Sequence, residues 1–220
     1  RRVLFRSSYF ILSLMSKGGE QAREYLNSRG LYDKKLLADY SIGWATSGWT
    51  DTLHQLQNQE KFSKNDLSRA GLIKQKEGAG KNNFYDRFRG RIIFPLQDIH
   101  GNLIAFAGRV IGESEPKYLN SPETPLYIKG RHLFGFNRAK EAIRKQNKAL
   151  IVEGYFDQMR AHQNGIRNTV ATCGTALTLE QASLLKNHTK RATLIFDSDS
   201  AGQAATKKGF EVLLKQGMSV

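Results

Sequence analysis

Hydrophobic positions along the chain follow two successive patterns. In the first, apolar residues recur at helical spacing: EQAREYLNSRGL, starting at Glu20, repeats apolar or aromatic side chains every three to four residues and ends on Gly30, a residue type suited to closing a helix. The same spacing predicts helices over 50–60 and 63–70, and makes YFILSLM at 9–15 the face of another helix. Trp44 and Trp49, in IGWATSGW, are expected as packing anchors of this helical part, since large aromatics dominate cores. From Asn83 the pattern changes. RIIFPLQD and NLIAFAGRV are β-branched and aromatic runs flanking the turn-prone Ile99, His100, Gly101 and Asn102, which predicts a hairpin in a small antiparallel sheet.

The next stretch, GESEPKYLNSPETPLYIKGRHLFGF, holds three of the chain's four prolines and argues against regular structure through Gly130. Loops this long in a compact domain usually bind something. From Lys148 the reading becomes alternately strand and helix: KALIVE, YFDQMRAHQNG, NTVAT, LTLEQASLLKN, RATLIF, then a helix from Ala201. That alternation predicts α/β structure on a parallel sheet. Thr178 and Gln181 have the spacing of a capping box at the head of the second helix. The predicted fold is therefore α+β, helices with a small antiparallel sheet, followed by α/β.

Composition adds a partner class. The chain has 220 residues, 40% of them hydrophobic, with 34 Lys and Arg against 20 Asp and Glu, for a net charge of +14. The surplus favours phosphate-bearing partners. The opening RRVLFRS reads as a translated sequencing adapter, so residues 1–7 are set apart from the fold; without their three arginines the net charge is +11. Only 9 basic and 6 acidic residues lie from Lys148 onward, leaving 25 and 14 before it. Residues 8–147 thus form a basic subdomain and 148–220 a second domain, whose closing KKGFEVLLKQGMSV carries a helix towards a further turn and strand. One cysteine, Cys173, supports neither a disulfide framework nor a cysteine-based zinc site. No apolar run approaches the roughly 20 residues of a membrane span, and no secretory signal is evident.

The chemistry concentrates in two sets of residues. Arg109, at the hairpin's end, and Lys117, Tyr118, Asn120, Lys129 and Arg131 in the proline-rich loop suit phosphate or nucleotide contact, with Arg87, Arg89 and Arg91 just upstream. The acidic set lies where parallel strands end: Glu153 in LIVEGYFD, and Asp197 with Asp199 in TLIFDSDSAG. If the strands before them are neighbours, the three carboxylates converge at one sheet edge. Asp157, in the next helix's first turn, either faces the same crevice or favours the helix dipole. Clustered carboxylates repel one another unless a cation joins them, and Mg²⁺ is the natural occupant for all-oxygen ligands. Ser200 and Gln203 also have capping-box spacing, so Ser200 is expected to cap the last helix, freeing both aspartates for a metal.

These words resemble one family. YLNSRGL, YDRFRGRIIFPLQD, GRV, PKYLNSPETPLYIKGRHLFGF, LIVEGYFD, ATCGTALT and IFDSDSAGQAA are similar, in order and spacing, to the RNA polymerase core of bacterial DNA primases and its Toprim domain, a Rossmann-like fold with a partly parallel sheet. The resemblance covers nearly the whole chain after residue 7. It implies synthesis of short RNA primers on single-stranded DNA from ribonucleoside triphosphates, with Mg²⁺ or Mn²⁺, by a cytoplasmic, nucleoid-associated enzyme without membrane contact. It further implies Glu153 as a catalytic metal-site carboxylate, Asp197 and Asp199 as metal ligands, Arg109, Lys117 and Lys129 as nucleotide- or nucleic-acid-holding cations, and Tyr118 and Asn120 beside them. In that family a zinc-binding module precedes the core, a helicase-interacting domain follows it, and a further acidic motif lies on the next Toprim strand. None of the three falls within these residues, so zinc, the replicative helicase and part of the metal site are expected in flanking sequence, and Toprim is expected to be truncated. Cys173 stands where the family often has another small apolar residue and reads as packing. Three rivals fit part of the pattern. A haloacid-dehalogenase-like phosphotransferase would need Thr at Ala201. Another Toprim enzyme such as a topoisomerase would need a tyrosine-bearing cleavage domain. A non-catalytic nucleic-acid-binding fragment would bind DNA indifferently to Mg²⁺.

Overall fold

The computed structural model describes residues 4–31, 33–58, 62–76, 78, 83–174 and 176–220, with side chains from Ser7 onward. The chain divides into two compact units, Arg1–Leu96 with Asn102–Leu126, and Gln97–Gly101 with Tyr127–Val220.

The first unit opens with α1 (Leu4–Met15), α2 (Glu20–Ser28), α3 (Lys34–Asp39), β1 (Gly43–Ala45), α4 (Asp51–Asn58) and α5 (Lys64–Arg69). α1 starts inside the stretch set apart as adapter-derived, where no Gly or Pro interrupts helical backbone, and Ser7 is buried. α2 ends as expected, with Gly30 left-handed at φ 77°. The helix expected over 50–60 is α4; Gln59 and Glu60 lie outside the described residues. α5 is capped by Ser63 with Asp66 as a reciprocal box. Next come β2 (Ile73–Gln75), β3 (Phe84–Asp86), β4 (Arg91–Gln97), β5 (Leu103–Val110) and β6 (Tyr118–Asn120). β2 and β3 form an antiparallel ribbon, and the other four form a sheet in the order β1-β4-β5-β6. β1 reaches only Arg91–Ile93 of β4, so Pro95 sits where no β1 residue needs its missing N–H. Phe10, Leu53, Leu56, Leu67, Phe88, Ile93 and Phe106 form this unit's core. β6 corrects the expectation of an irregular loop: Tyr118–Asn120 pair antiparallel with Ala107–Arg109. Trp49 corrects another, since Trp44 is buried but Trp49 is 64% exposed.

The second unit holds α6 (Phe136–Gln146), β7 (Ala149–Val152), α7 (Tyr155–Gln163), β8 (Thr169–Ala171), α8 (Leu179–Lys186), β9 (Ala192–Ile195) and α9 (Ser200–Lys215). All three strands are parallel, in the order β8-β7-β9. Ala149, Ile151, Val170 and Ala192 of the sheet pack with Leu133, Ala182, Leu185 and Leu213. α6 lies before the change in charge at Lys148, yet its apolar face, Phe136, Ala139 and Ile143, belongs to this core. The turn of the β4–β5 hairpin joins the same unit because Asn137 and Arg138 donate to the Gln97 side chain and Lys140 donates to the Ile99 carbonyl at 2.9 Å. After α9 the chain turns back, and Ser219 bridges in parallel to Arg191. Among the described residues no helix is long and apolar enough to cross a membrane.

Candidate active site

The carboxyl edge of the parallel sheet collects the acidic residues. β7 and β9 are neighbours in register, Val152 opposite Ile195, so the chain leaves both strands side by side at Glu153 and Phe196. The Asp197 amide donates to Glu153 Oε1 at 3.0 Å, joining the two acidic segments directly. Across β7, the Thr172 and Cys173 amides donate to the carbonyls of Val152 and Glu153, which ties the end of β8 to the same edge. Cys173 is half-buried, and desolvation pushes its thiol well above the ordinary pKa.

Asp199, and not Ser200, caps α9. Its backbone is extended (φ −70°, ψ 171°), and its Oδ1 accepts the Gly202 amide at 2.7 Å. Ser200 is the first helical residue, and Gln203 donates instead to the Ser198 carbonyl. Asp and Ser are comparable caps; the one-residue choice brings Asp199's carboxylate over the free amides of the first turn. Gly202 went unnoticed in the sequence. A methyl group on it would lie 2.1 Å from the Asp197 carbonyl oxygen and 2.9 Å from Glu153 Oε1, so only glycine lets α9 start this close to both acidic segments.

The carboxylates do not form a ready-made cation cage. Among the described residues no group of three or more His, Cys, Asp or Glu side chains is disposed to hold a metal ion. One oxygen each of Glu153 and Asp199 accepts a backbone amide. Among the described residues Glu153 Oε2, Asp199 Oδ2 and both oxygens of Asp197 have no hydrogen-bond partner; Asp197 and Asp199 are exposed and Glu153 half-buried. This all-oxygen, water-accessible set fits a hard divalent cation that takes one or two carboxylates and keeps its waters. Asp157 lies exposed in the first turn of α7, its carboxylate folded back within 2.8 Å of where a methyl on Gly154 would sit.

The loop before α6 is tied to β8 and α8 within the same unit. Phe134 pairs with Ala171, the last residue of β8. Gly130 accepts the Thr178 hydroxyl at 2.5 Å, and His132 accepts Gln181 Nε2 at 2.8 Å. The cap of α8 thereby fastens the loop that carries the exposed Lys129 and Arg131.

The first unit contributes the remaining predicted residues. Arg109 is 9% exposed, donates to the Tyr25 hydroxyl at 2.7 Å and stacks its guanidinium 4.9 Å over the Tyr118 ring. Arg91 donates to the Pro116 carbonyl at 2.8 Å, and Arg87 forks onto the Asn120 carbonyl at 2.7 and 3.1 Å. Burial lowers the pKa of both. These three arginines thus secure the segment that presents the exposed Lys117 and half-buried Tyr118. A cleft of about 500 Å³ beside it is lined by Lys74, Tyr85, Arg87, Arg89 and Arg91, and a second of about 650 Å³ shares Lys74, Tyr85 and Arg87 and adds Lys76. At this surface the Arg89 guanidinium lies 4.2 Å over the exposed Trp49 ring, and Tyr85 meets Trp49 edge-on at 5.7 Å. Sequence reasoning put Trp49 in the core and missed Tyr85; the signal was the alternation of Tyr85, Arg87 and Arg89, which turns them to one side of an extended segment.

Comparisons with known proteins place the family boundary close to the change in charge at Lys148, later in the chain than the boundary between the two compact units. Residues 9–140 match the family model of the DNA primase catalytic core, N-terminal domain, and residues 147–220 match that of the Toprim domain. The DNA primase of Clostridium acetobutylicum is 42% identical over 213 residues, which are 96% of this chain and 34% of that protein. The structure of Aquifex aeolicus primase (zinc-binding and RNA polymerase domains) superposes with a TM-score of 0.88 at 35% identity, over 99% of this chain and 52% of that one. The structure of the DnaG primase catalytic domain bound to single-stranded DNA gives 0.85 at 35%, over 98% and 66%. The chain spans about a third of the length of the curated relatives it matches. With an antiparallel unit of the primase-core type followed by a parallel Toprim sheet, and both family models matched in that order, the chain belongs to the DNA primase family.

Proposed function

We propose that this chain is the core of an enzyme that makes short RNA primers on single-stranded DNA from ribonucleoside triphosphates. The observation that carries the reading is the contact between Asp197 and Glu153 at the carboxyl edge of the sheet, with the loop of Lys129 and Arg131 fastened to the same unit. Glu153, Asp197 and Asp199 would hold Mg²⁺ or Mn²⁺, with Asp157 as an outer acceptor. When bound there, a divalent ion would supply Lewis-acid stabilisation of charge on the attacking and departing oxygens. The protein's own share is positional. The backbone amides at Asp197 and Gly202 orient two of the carboxylates, while Lys129 and Arg131, in the same unit, supply positive charge to triphosphate oxygens, and Lys117, in the first unit, supplies it to nucleic acid. Arg109, with Tyr118 and Asn120, supports the segment that presents Lys117. The Trp49–Arg89–Tyr85 surface and its lysine-lined clefts suit single-stranded template, which binds by stacking and phosphate attraction. Helicase contact and zinc binding would reside in flanking domains, and the enzyme would work in the cytoplasm at the nucleoid.

Isothermal titration of the chain with a ribonucleoside triphosphate, with and without Mg²⁺, tests this reading. Binding that requires Mg²⁺ and is lost in Glu153→Gln supports it. Binding indifferent to Mg²⁺ turns the chain into a nucleic-acid-binding module without catalytic metal.

A further inference from the structure

We propose that Asp86 is a positioning residue for the Trp49–Arg89–Tyr85 surface, holding Trp49 and Arg89 in the geometry that receives a nucleic-acid base. The inference rests on the template-binding reading above. Asp86 ends β3, is 1% exposed, and directs each of its polar groups to one side of that surface. Its Oδ2 accepts the Thr52 amide at 2.7 Å and its Oδ1 the Leu53 amide at 2.9 Å, so it stabilises the first turn of α4, just after Trp49, from a strand 34 residues away. Its own amide donates to the Trp49 carbonyl at 2.7 Å, and its carbonyl accepts the Arg89 guanidinium. Tyr85, its neighbour in β3, completes the aromatic pair. One buried residue thus fixes the backbone of Trp49, the helix that follows it and the cation stacked upon it.

The grip is sensitive to protonation. Burial pushes the Asp86 carboxyl up to about 6 against the pull of the Thr52 and Leu53 amides, and the Asp51 charge in α4 adds to the rise. Tyr9 of α1, itself raised by burial, and Arg89 are the other titratable or charged groups against it. Protonation leaves the carboxyl a poorer acceptor for two helix amides at once.

The two tryptophans give two indole N–H cross-peaks in a ¹H–¹⁵N spectrum, one from buried Trp44 and one from exposed Trp49. In Asp86→Asn the Trp49 peak is expected to move while the Trp44 peak stays. Affinity for a labelled single-stranded oligonucleotide should fall about 3- to 10-fold, a partial loss of one stacking contact. The double variant with Trp49→Ala should bind no more weakly than Trp49→Ala alone. In the unmodified protein the Trp49 peak should titrate with a midpoint near pH 6, a transition that Asp86→Asn abolishes. Asp86→Asn superimposing on the unmodified protein in both peak and affinity overturns the proposal. If that variant fails to fold, an unmodified Trp49 peak that stays still between pH 5 and 7.5 overturns it. Unchanged DNA affinity in Trp49→Ala would instead remove the template-binding reading, leaving the indole peak to decide Asp86's role.

Discussion

Gly202→Ala isolates the geometry of the acidic edge. In an ordinary helix the change is worth about 1 kcal/mol of added stability, because alanine restricts the unfolded chain. Here the new methyl would stand 2.1 Å from the Asp197 carbonyl oxygen, a backbone atom, where real contacts begin near 3.0 Å. The first turn of α9 or the Asp197 segment must therefore shift by about 1 Å, and no side-chain rotation relieves it. Overpacking of this kind costs about 1–3 kcal/mol, and the shift also strains the 2.7 Å cap from Asp199 to the Gly202 amide, worth about 1 kcal/mol. The clash outweighs the propensity gain, for a net loss of about 1–3 kcal/mol. Gly209→Ala on the same helix is the control, because its methyl would meet no backbone atom: its nearest neighbours are the flexible Leu194 methyls at 3.2 and 3.3 Å and the Leu177 Cβ at an ordinary 3.8 Å. Urea denaturation followed by far-UV circular dichroism should show Gly202→Ala clearly less stable than Gly209→Ala. In the full-length parent, Gly202→Ala should also cut primer synthesis by about 100-fold, the usual cost of a ~1 Å misplacement at a reacting centre. If Gly202→Ala matches or exceeds Gly209→Ala in stability and keeps full synthesis, the close packing of α9 against Glu153 and Asp197 does not hold.

Two further outcomes follow from buried charge. His162 is fully buried, donates from Nε2 to the Thr169 carbonyl at 3.0 Å, and has its pKa lowered to about 4 by burial. The unfolded chain binds its proton near 6.5, so this residue's contribution is intact above that value and is lost as pH falls towards 4, up to about 3 kcal/mol. Between pH 7.5 and 4.5 the unmodified protein should lose stability relative to His162→Gln, read as the difference between their denaturation midpoints at each pH, because the raised Asp86 carboxyl acts with the opposite sign in both. Arg91→Met, which strips the Pro116 and Gly108 carbonyls of a buried donor, should destabilise the first unit by about 2–3 kcal/mol and make the bond after Lys117 more readily cut in limited proteolysis; unchanged cutting would detach Arg91 from that segment.

Much of the second unit was legible because its signals are local. Strand, turn and helix alternate at short spacing from Lys148, and the Thr178–Gln181 pair formed both bonds of its capping box. Alternation alone does not order the strands: the sequence left the adjacency of β7 and β9 as a condition, and the order β8-β7-β9 meets it, bringing Glu153 to Asp197. What escaped depends on contacts distant in sequence or on one-residue register. Asp199 and Ser200 are equally good caps, and only the backbone at Asp199 decides between them. Trp49 is exposed just ahead of α4, whose start is fixed by Asp86 of β3, 34 residues after Thr52; nothing in IGWATSGW announces that. β6 hides in a proline-rich stretch because three paired residues suffice to extend a sheet already built. Gly202 looked like an ordinary helix residue, since its constraint comes from Glu153 and Asp197 and not from its own conformation.

The central claim is that the carboxylates at the end of β7 and β9 serve metal-dependent nucleotidyl transfer. Asp197→Asn preserves the amide that bonds Glu153 and the size of the side chain while removing a carboxylate that has no hydrogen-bond partner among the described residues. In the full-length parent, a primer-synthesis gel run alongside a single-stranded DNA binding assay should show synthesis abolished and binding retained. Primer synthesis at the unmodified rate in Asp197→Asn would contradict the assignment.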